Sequence, residues 1–208
     1  MRYVYFHGFA SGPSSRKAAS FAAALREANI DLTVPDLSGG DFSGLTITGQ
    51  LRLVGELLAD EPCRVVGSSM GGYLAALYAA AHPEVDRLVL LAPAFGLADR
   101  WPQMLGNDGF REWREKGWMN VHHHGLGMIL PVHFGLYVDA SEHSQYPAVD
   151  QRALIFHGIH DDVVPVENSR AFAAANAAAK LVELDSDHEL LDPLNGIVRD
   201  ALDFLCAP

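Results

Sequence analysis

The stretch "CRVVGSSMGGYLAALYAAAHP", residues 63–83, sets a β-branched run against an Ala/Leu-rich one, with a seam of glycines and serines between them. β-Branched residues suit a pleated, half-buried strand, and alanine and leucine suit a closely packed helix. The seam places Gly67, Ser69 and Gly71 in the Gly-x-Ser-x-Gly spacing of a nucleophile held on a sharp strand-to-helix turn. The central residue of such a turn is strained, and larger side chains two positions away would strike the adjoining strand and helix. Ser68 lacks that setting, because Val66 and Met70 occupy its flanking positions, and it is expected to pack or hydrogen-bond beside the site. In this composition the bare pattern arises by chance with probability ~0.1. Its weight therefore comes from the strand before it and the helix after it; without them, Ser69 would be the cap of a glycine-rich turn.

Outward from this seam the same alternation repeats. "RYVYF" (2–6), "LTV" (32–34), "DRLVLLA" (86–92), "RALIFHG" (152–158) and "KLVELD" (180–185) join "CRVVG" (63–67) as predicted strands. Helical spacing covers roughly 15–28, 46–59, 70–81, 166–178 and 190–205. Strands alternating with helices predict a parallel sheet covered on both faces. Ser14 or Ser15 caps the first helix, while Glu61-Pro62 and His82-Pro83 close two others. The alternation breaks between Phe95 and Pro147, a segment that holds Trp101, Trp113 and Trp118. So long a structureless loop is improbable in a compact domain. "NDGFREWREKG" predicts a helix with Asn107 or Asp108 as cap, and "WMNVHHHG" with "PVHFGLYV" a hairpin. The expectation is one domain, 1–208, with an inserted cap at about 96–147 over the C-terminal edge of the sheet.

Composition narrows the function. The formal net charge is −11 without a Lys/Arg-rich run, which works against nucleic acid. Two cysteines, Cys63 and Cys206, are too few for a disulfide framework and fit a reducing compartment. "MRYVYFHGFASG" lacks the features of an export signal, and "LVLLAPAFGLA" falls short of the ~18 apolar residues of a membrane span. A cytoplasmic protein without a membrane span is expected, with no oligomeric state specified.

A serine hydroxyl needs a histidine to take its proton and a carboxylate to orient that histidine. With this type of turn the order along the chain is Ser, then Asp or Glu, then His, on loops at the C-terminal ends of strands. "HGIHDDVVPVENS" follows the fifth predicted strand and "DSDHELL" the sixth, offering Asp161 or Asp162 and then His188. Asp187 neighbours the histidine but precedes it on the same turn. An oxyanion hole is also required, and the backbone N–H groups of Met70, after the nucleophile, and Phe9, in "YFHGFASG", are the expected donors. His7 braces that loop or is a satisfied buried histidine. No metal site is expected: His122 to His124 point to alternate faces of an extended segment, edging the cap, and no His-Glu-x-x-His helix is present. Neither glycine-rich loop matches the dinucleotide pattern Gly-x-Gly-x-x-Gly.

With these motifs in order, the chain resembles the α/β-hydrolase superfamily over essentially its full length. "YFHGFASGPSSRKA" and the compact length are similar to the small bacterial YqiA-like esterases. "HGIHDDVVP" resembles the frequent segment His-Gly-x-x-Asp-x-x-Val-Pro, which implies Asp161 as the acid and Asp162 as a spacer. The resemblance implies a three-layer α/β fold with a mainly parallel sheet of about six strands, order 2-1-3-4-5-6. Met1 stands almost at the first strand, so the N-terminal antiparallel strands of larger members are expected to be absent. The implied function is hydrolysis of small carboxylic esters or acyl thioesters through an acyl-enzyme, without cofactor or metal, in an apolar pocket built from Phe9, Met70 and the aromatic cap. Amide or peptide hydrolysis uses the same triad, and a non-catalytic binding module would keep the pocket but lose triad members.

Overall fold

A computed structural model describes residues 1–207. The first half of the chain runs β1 (Arg2–Phe6), α1 (Arg16–Glu27), β2 (Leu32–Thr33), α2 (Ile47–Leu58), β3 (Cys63–Ser68), α3 (Met70–Ala81) and β4 (Val85–Leu91). An insertion follows, with α4 (Leu97–Lys116), β5 (Trp118–His123), β6 (Met128–His133) and α5 (Gly135–Ser141). The chain then completes the sheet with β7 (Arg152–Gly158), α6 (Val166–Ala175), β8 (Ala179–Leu184) and α7 (Leu194–Cys206).

The strands of the six-stranded sheet are parallel and ordered β2-β1-β3-β4-β7-β8, the predicted topology of the α/β-hydrolase fold. The antiparallel pair lies in the insertion, as β5 and β6, and not at the N-terminus. The two-residue side-chain period of a strand sorts the sheet into two apolar faces. Val4, Phe6, Leu88, Leu90 and Ile155 pack with Val54 of α2 and Leu74 of α3. Tyr5, Val89, Leu91 and Phe156 pack with Phe21 of α1 and Ile197 of α7. Helices thus cover both faces.

Element ends follow local chemistry. Ser15, not Ser14, caps α1, its Oγ accepting from the Ala18 N–H at 3.3 Å. α2 stops where Ala59 and Asp60 turn left-handed (φ 48° and 58°), ahead of Pro62. α6 ends earlier than its periodicity suggests because buried Asn176 turns its side chain to the backbone, accepting from Val149 N–H at 2.8 Å and donating to the Phe172 carbonyl at 2.8 Å. α7 starts later than expected: Leu190 lies at φ 53° and Pro193 caps the helix, leaving a turned loop after β8.

In the insertion, α4 reaches back to Leu97, well before the predicted start, and Gly106 (φ 66°, ψ 168°) breaks it in the middle. Gly106 therefore takes the cap position expected for Asn107 or Asp108, and Asp108 instead pairs with Arg111 at 2.7 Å. A hairpin forms, with Trp118 opposite His133 and His123 opposite Met128, but its second strand starts earlier than predicted, at Met128, and the "GLYV" expected to extend it turns into helix α5. Trp113 is buried and donates from Nε1 to the Val132 carbonyl at 3.0 Å, and it meets Trp101 and Phe134 edge-on. The hairpin end is tied to the loop after β1 by the His124 N–H donating to the Ala10 carbonyl at 2.8 Å. Among the described residues no helix is long and apolar enough to cross a membrane.

Candidate active site

β3 runs out of the sheet centre into Ser69, whose φ of 53° and ψ of −120° are strained for a residue with a side chain. Surrounding hydrogen bonds hold it there. Its N–H donates to the Leu91 carbonyl at 2.9 Å, and its own carbonyl accepts from Gly72 and Ala94 at 2.9 and 3.0 Å. A Cβ on Gly71 would collide with the Phe6 carbonyl, and one on Gly67 with the backbone of Gly71 and Gly72. Both glycines are what allow α3 to lie so close to β1 and β3.

Two loops at the same edge of the sheet meet Ser69. His188, on the turn between β8 and α7, places Nε2 3.0 Å from Ser69 Oγ and Nδ1 2.7 Å from Asp161 Oδ2. A carboxylate only accepts, so Nδ1–H donates to Asp161 and Nε2 accepts from the serine hydroxyl. A Cβ on Gly158 would collide with the Ser186 carbonyl, so the end of β7 and the His188 turn lie in direct contact. Lys17 fixes the turn from the other side, donating to the Glu189 carbonyl at 2.9 Å.

The Asp161 side chain is wholly buried. Its Oδ1 accepts from the Val163 and Val164 N–H groups at 2.9 and 2.7 Å, and His157 Nε2 stands 3.0 Å from Oδ2. His157 also donates to the Val164 carbonyl at 2.8 Å, while its Nδ1 accepts from the Ser169 hydroxyl at 2.7 Å. Burial pushes the Asp161 carboxyl upward, but hydrogen bonds from His157, His188 and the Val164 amide outweigh it and hold the group well below the usual carboxylate range. Asp162 is exposed, and Asp187 accepts from the Glu189 N–H at 3.0 Å. Of Asp161, Asp162 and Asp187, only Asp161 is bonded to the His188 ring.

Gly8 packs on the serine, where an added Cβ would stand 3.3 Å from Ser69 Cβ. The adjoining Phe9 and Met70 line the same cavity, and among the described residues neither amide donates to another group of the protein. His7 is both buried and a brace: Nε2 accepts from the Leu37 N–H at 3.2 Å and Nδ1 donates to the Gly8 carbonyl at 3.0 Å.

The cavity above Ser69 and His188 encloses about 820 Å³. Phe95, Leu97, Trp101 and Met104 supply apolar wall; of the three tryptophans only Trp101 reaches it, Trp113 being buried and Trp118 exposed. The histidine run alternates as its extended geometry requires, with His124 at the cavity, His123 buried against Phe42 and His122 exposed. Away from the cavity, Asp60, His82 and Glu84 bring ligand-type atoms within 4.8 Å of one another, with His82 Nδ1 bonded to Glu84 at 2.7 Å.

Three contributors escaped the sequence reading: His157, Ser169 and Lys17. His157 stands four residues before Asp161 in "HGIHD", and that spacing across a turn was the available signal. Nothing local marks Lys17, whose partner is far along the chain.

Residues 2–206 match the family described as uncharacterised protein family UPF0227. The chain belongs to this family. That membership accords with the resemblance of its "HGF" loop and compact length to the YqiA-like esterases. No curated protein matches the UPF0227 chain. Among solved structures it is similar to alpha/beta hydrolase domain-containing protein 10 from mouse (21% identity, 98% of this chain and 88% of that chain, TM-score 0.81). It is also similar to Est1E from Butyrivibrio proteoclasticus with ferulic acid bound (20%, 98% and 87%, 0.81) and to a monoacylglycerol lipase from Paleococcus ferrophilus (14%, 98% and 93%, 0.79). At these identities the likeness is one of fold: the UPF0227 chain has the α/β-hydrolase fold.

Proposed function

We propose that this UPF0227 protein is a serine hydrolase that cleaves small carboxylic esters or acyl thioesters, with Ser69, His188 and Asp161 as its triad. One observation carries the reading: an unbroken hydrogen-bonded chain from Ser69 Oγ through His188 to a buried Asp161, set on a strained turn at the floor of a cavity. Ser69 Oγ attacks the acyl carbonyl carbon while His188 Nε2 takes its proton. The carbonyl oxygen becomes an oxyanion against the free Phe9 and Met70 amides, the latter at the positive end of α3. The C–O or C–S bond then breaks, and His188 returns the proton to the leaving group. Water repeats the cycle on the acyl-enzyme, with His188 again as base, and Ser69 recovers its proton. Asp161 keeps His188 in the required tautomer and stabilises its cation. No step calls for a metal or cofactor.

In this reading residues of about 96–147 form the cap of a single hydrolase domain, and the apolar wall they contribute holds an acyl chain. The test is turnover of a panel of p-nitrophenyl esters, acyl thioesters and aminoacyl amides by the parent and by Ser69→Ala. Ester or thioester cleavage that disappears in the variant is expected. Equal turnover by both would remove Ser69 from the chemistry, and preferential amide cleavage would move the reading to an amidase.

A further inference from the structure

The cavity above Ser69 is charged against the trend of the chain. The sequence carries 26 acidic and 15 basic residues, yet the cavity is lined by Arg16, Lys17 and Arg100 against one acid, Glu189. The Lys17 side chain is only 12% exposed; its ammonium spends one N–H on the Glu189 carbonyl and stands 3.7 Å from the Glu189 carboxylate, which faces water. Three donors on one ammonium leave capacity for another acceptor.

Two more donors are stranded in residues of the same wall. Tyr5 is fully buried, and its hydroxyl lies beside Ser68 without a hydrogen bond of proper geometry. Arg100 gives its Nη2 to the Val163 carbonyl at 2.6 Å, but its buried Nε has no partner. Buried polar groups in folded proteins are nearly always satisfied, and an exception calls for a cause. Here the Arg100 Nε–H can only donate, and the Tyr5 hydroxyl can donate as well as accept. The first turn of α1, which carries Arg16 and Lys17, contains no acidic residue to offset the positive end of the helix. Surplus donors and surplus positive charge together match one kind of occupant, a negatively charged group rich in oxygen.

Resting on the reading of Ser69 as nucleophile, we propose that the preferred substrate is a carboxylic ester that itself carries an anionic oxyacid group, a carboxylate or a phosphate, bound in this cavity by Lys17 and Arg16 with Arg100, above the buried Tyr5 hydroxyl. The apolar wall of Phe95, Leu97 and Trp101 takes the hydrocarbon that joins this group to the scissile carbonyl.

Matched substrates test this. 4-Nitrophenyl hydrogen adipate against its methyl ester places the charge on the acyl side; 4-(butanoyloxy)benzoate against its methyl ester places a carboxylate on the leaving group, and 4-(butanoyloxy)phenyl phosphate a phosphate. At low ionic strength at least one anionic member is expected to exceed its neutral counterpart about tenfold in kcat/KM, the scale of a charge-assisted contact. Added salt at about 0.5 M should shrink that advantage, because exposed Arg16 is screened. Arg16→Glu should lower the anionic-to-neutral ratio, whereas Arg52→Glu, the same charge change on α2, should preserve it. Free adipate or phenyl phosphate should also bind the Ser69→Ala protein by calorimetry, and bind more weakly once Arg16→Glu is added. Ser69-dependent cleavage of the neutral esters without an anionic advantage in any pair would overturn this inference and leave the hydrolase reading standing. Failure to cleave any ester, charged or neutral, would overturn this inference, and failure to cleave acyl thioesters as well would overturn both.

Discussion

A wholly buried carboxylate such as that of Asp161 costs several kcal/mol to desolvate unless charge and hydrogen bonds answer it. Four donors do so, from His188, His157, Val163 and Val164. Asp161→Asn should therefore lower kcat by about 10⁴, near the loss seen when the acid of comparable triads is removed, while Asp162→Asn stays close to the parent in steady-state assays. The depressed Asp161 value also fixes a sign. An acid whose pKa is lower folded than unfolded contributes stability above its unfolded value, and that contribution is lost as pH falls toward the folded one. In urea titrations the stability gap between parent and Asp161→Asn should be constant from neutrality to about pH 5 and narrow below about pH 4. A gap independent of pH would show that Asp161 is not held ionised. The order of Ser69, Asp161 and His188 was legible from one chain, but the choice of Asp161 over Asp162 came from a family motif. The support from His157 had a signal only in its spacing from Asp161, and that from Ser169 had none, because both depend on how a turn folds a ring back onto its neighbour.

Secondary-structure elements were readable where period and capping chemistry agreed. Strand β3 and helix α3 fell where the sequence placed them because the glycines between them admit only a tight turn. Thr46 shows a cap at its simplest, its Oγ1 accepting from the Gly49 N–H at 3.0 Å. Thr46→Ala should cost about 1 kcal/mol in chemical denaturation, and an unchanged midpoint would deny the cap a role. Misplaced ends share a cause: Asn176 and Leu190 stop or delay helices through partners and turns that periodicity does not encode. The first half of α4 was hidden by Pro102 and Gly106, two residues that ordinarily end helices.

For the whole molecule, the parallel sheet with helices on both faces was implied by the alternation of strands and helices, and its strand order by the family resemblance. What the insertion does with its aromatic residues was not implied, because Trp101 at the cavity, Trp113 in the core and Trp118 at the surface look alike in sequence. Fold and site also share material. Fully buried Phe172 stacks on Phe95, which lines the cavity, with centroids 4.1 Å apart. Phe172→Ala should cost about 3–5 kcal/mol and raise KM through a loosened wall; a loss of stability below about 1 kcal/mol would mean the site collapses freely around the gap. The central claim, that a histidine-activated Ser69 is the one nucleophile of this protein, is tested most directly by intact-mass analysis after treatment with a fluorophosphonate. One adduct per chain, mapped to Ser69 and absent from Ser69→Ala and His188→Ala, is the predicted result. No adduct on the native protein, or an adduct on Ser68, would contradict it.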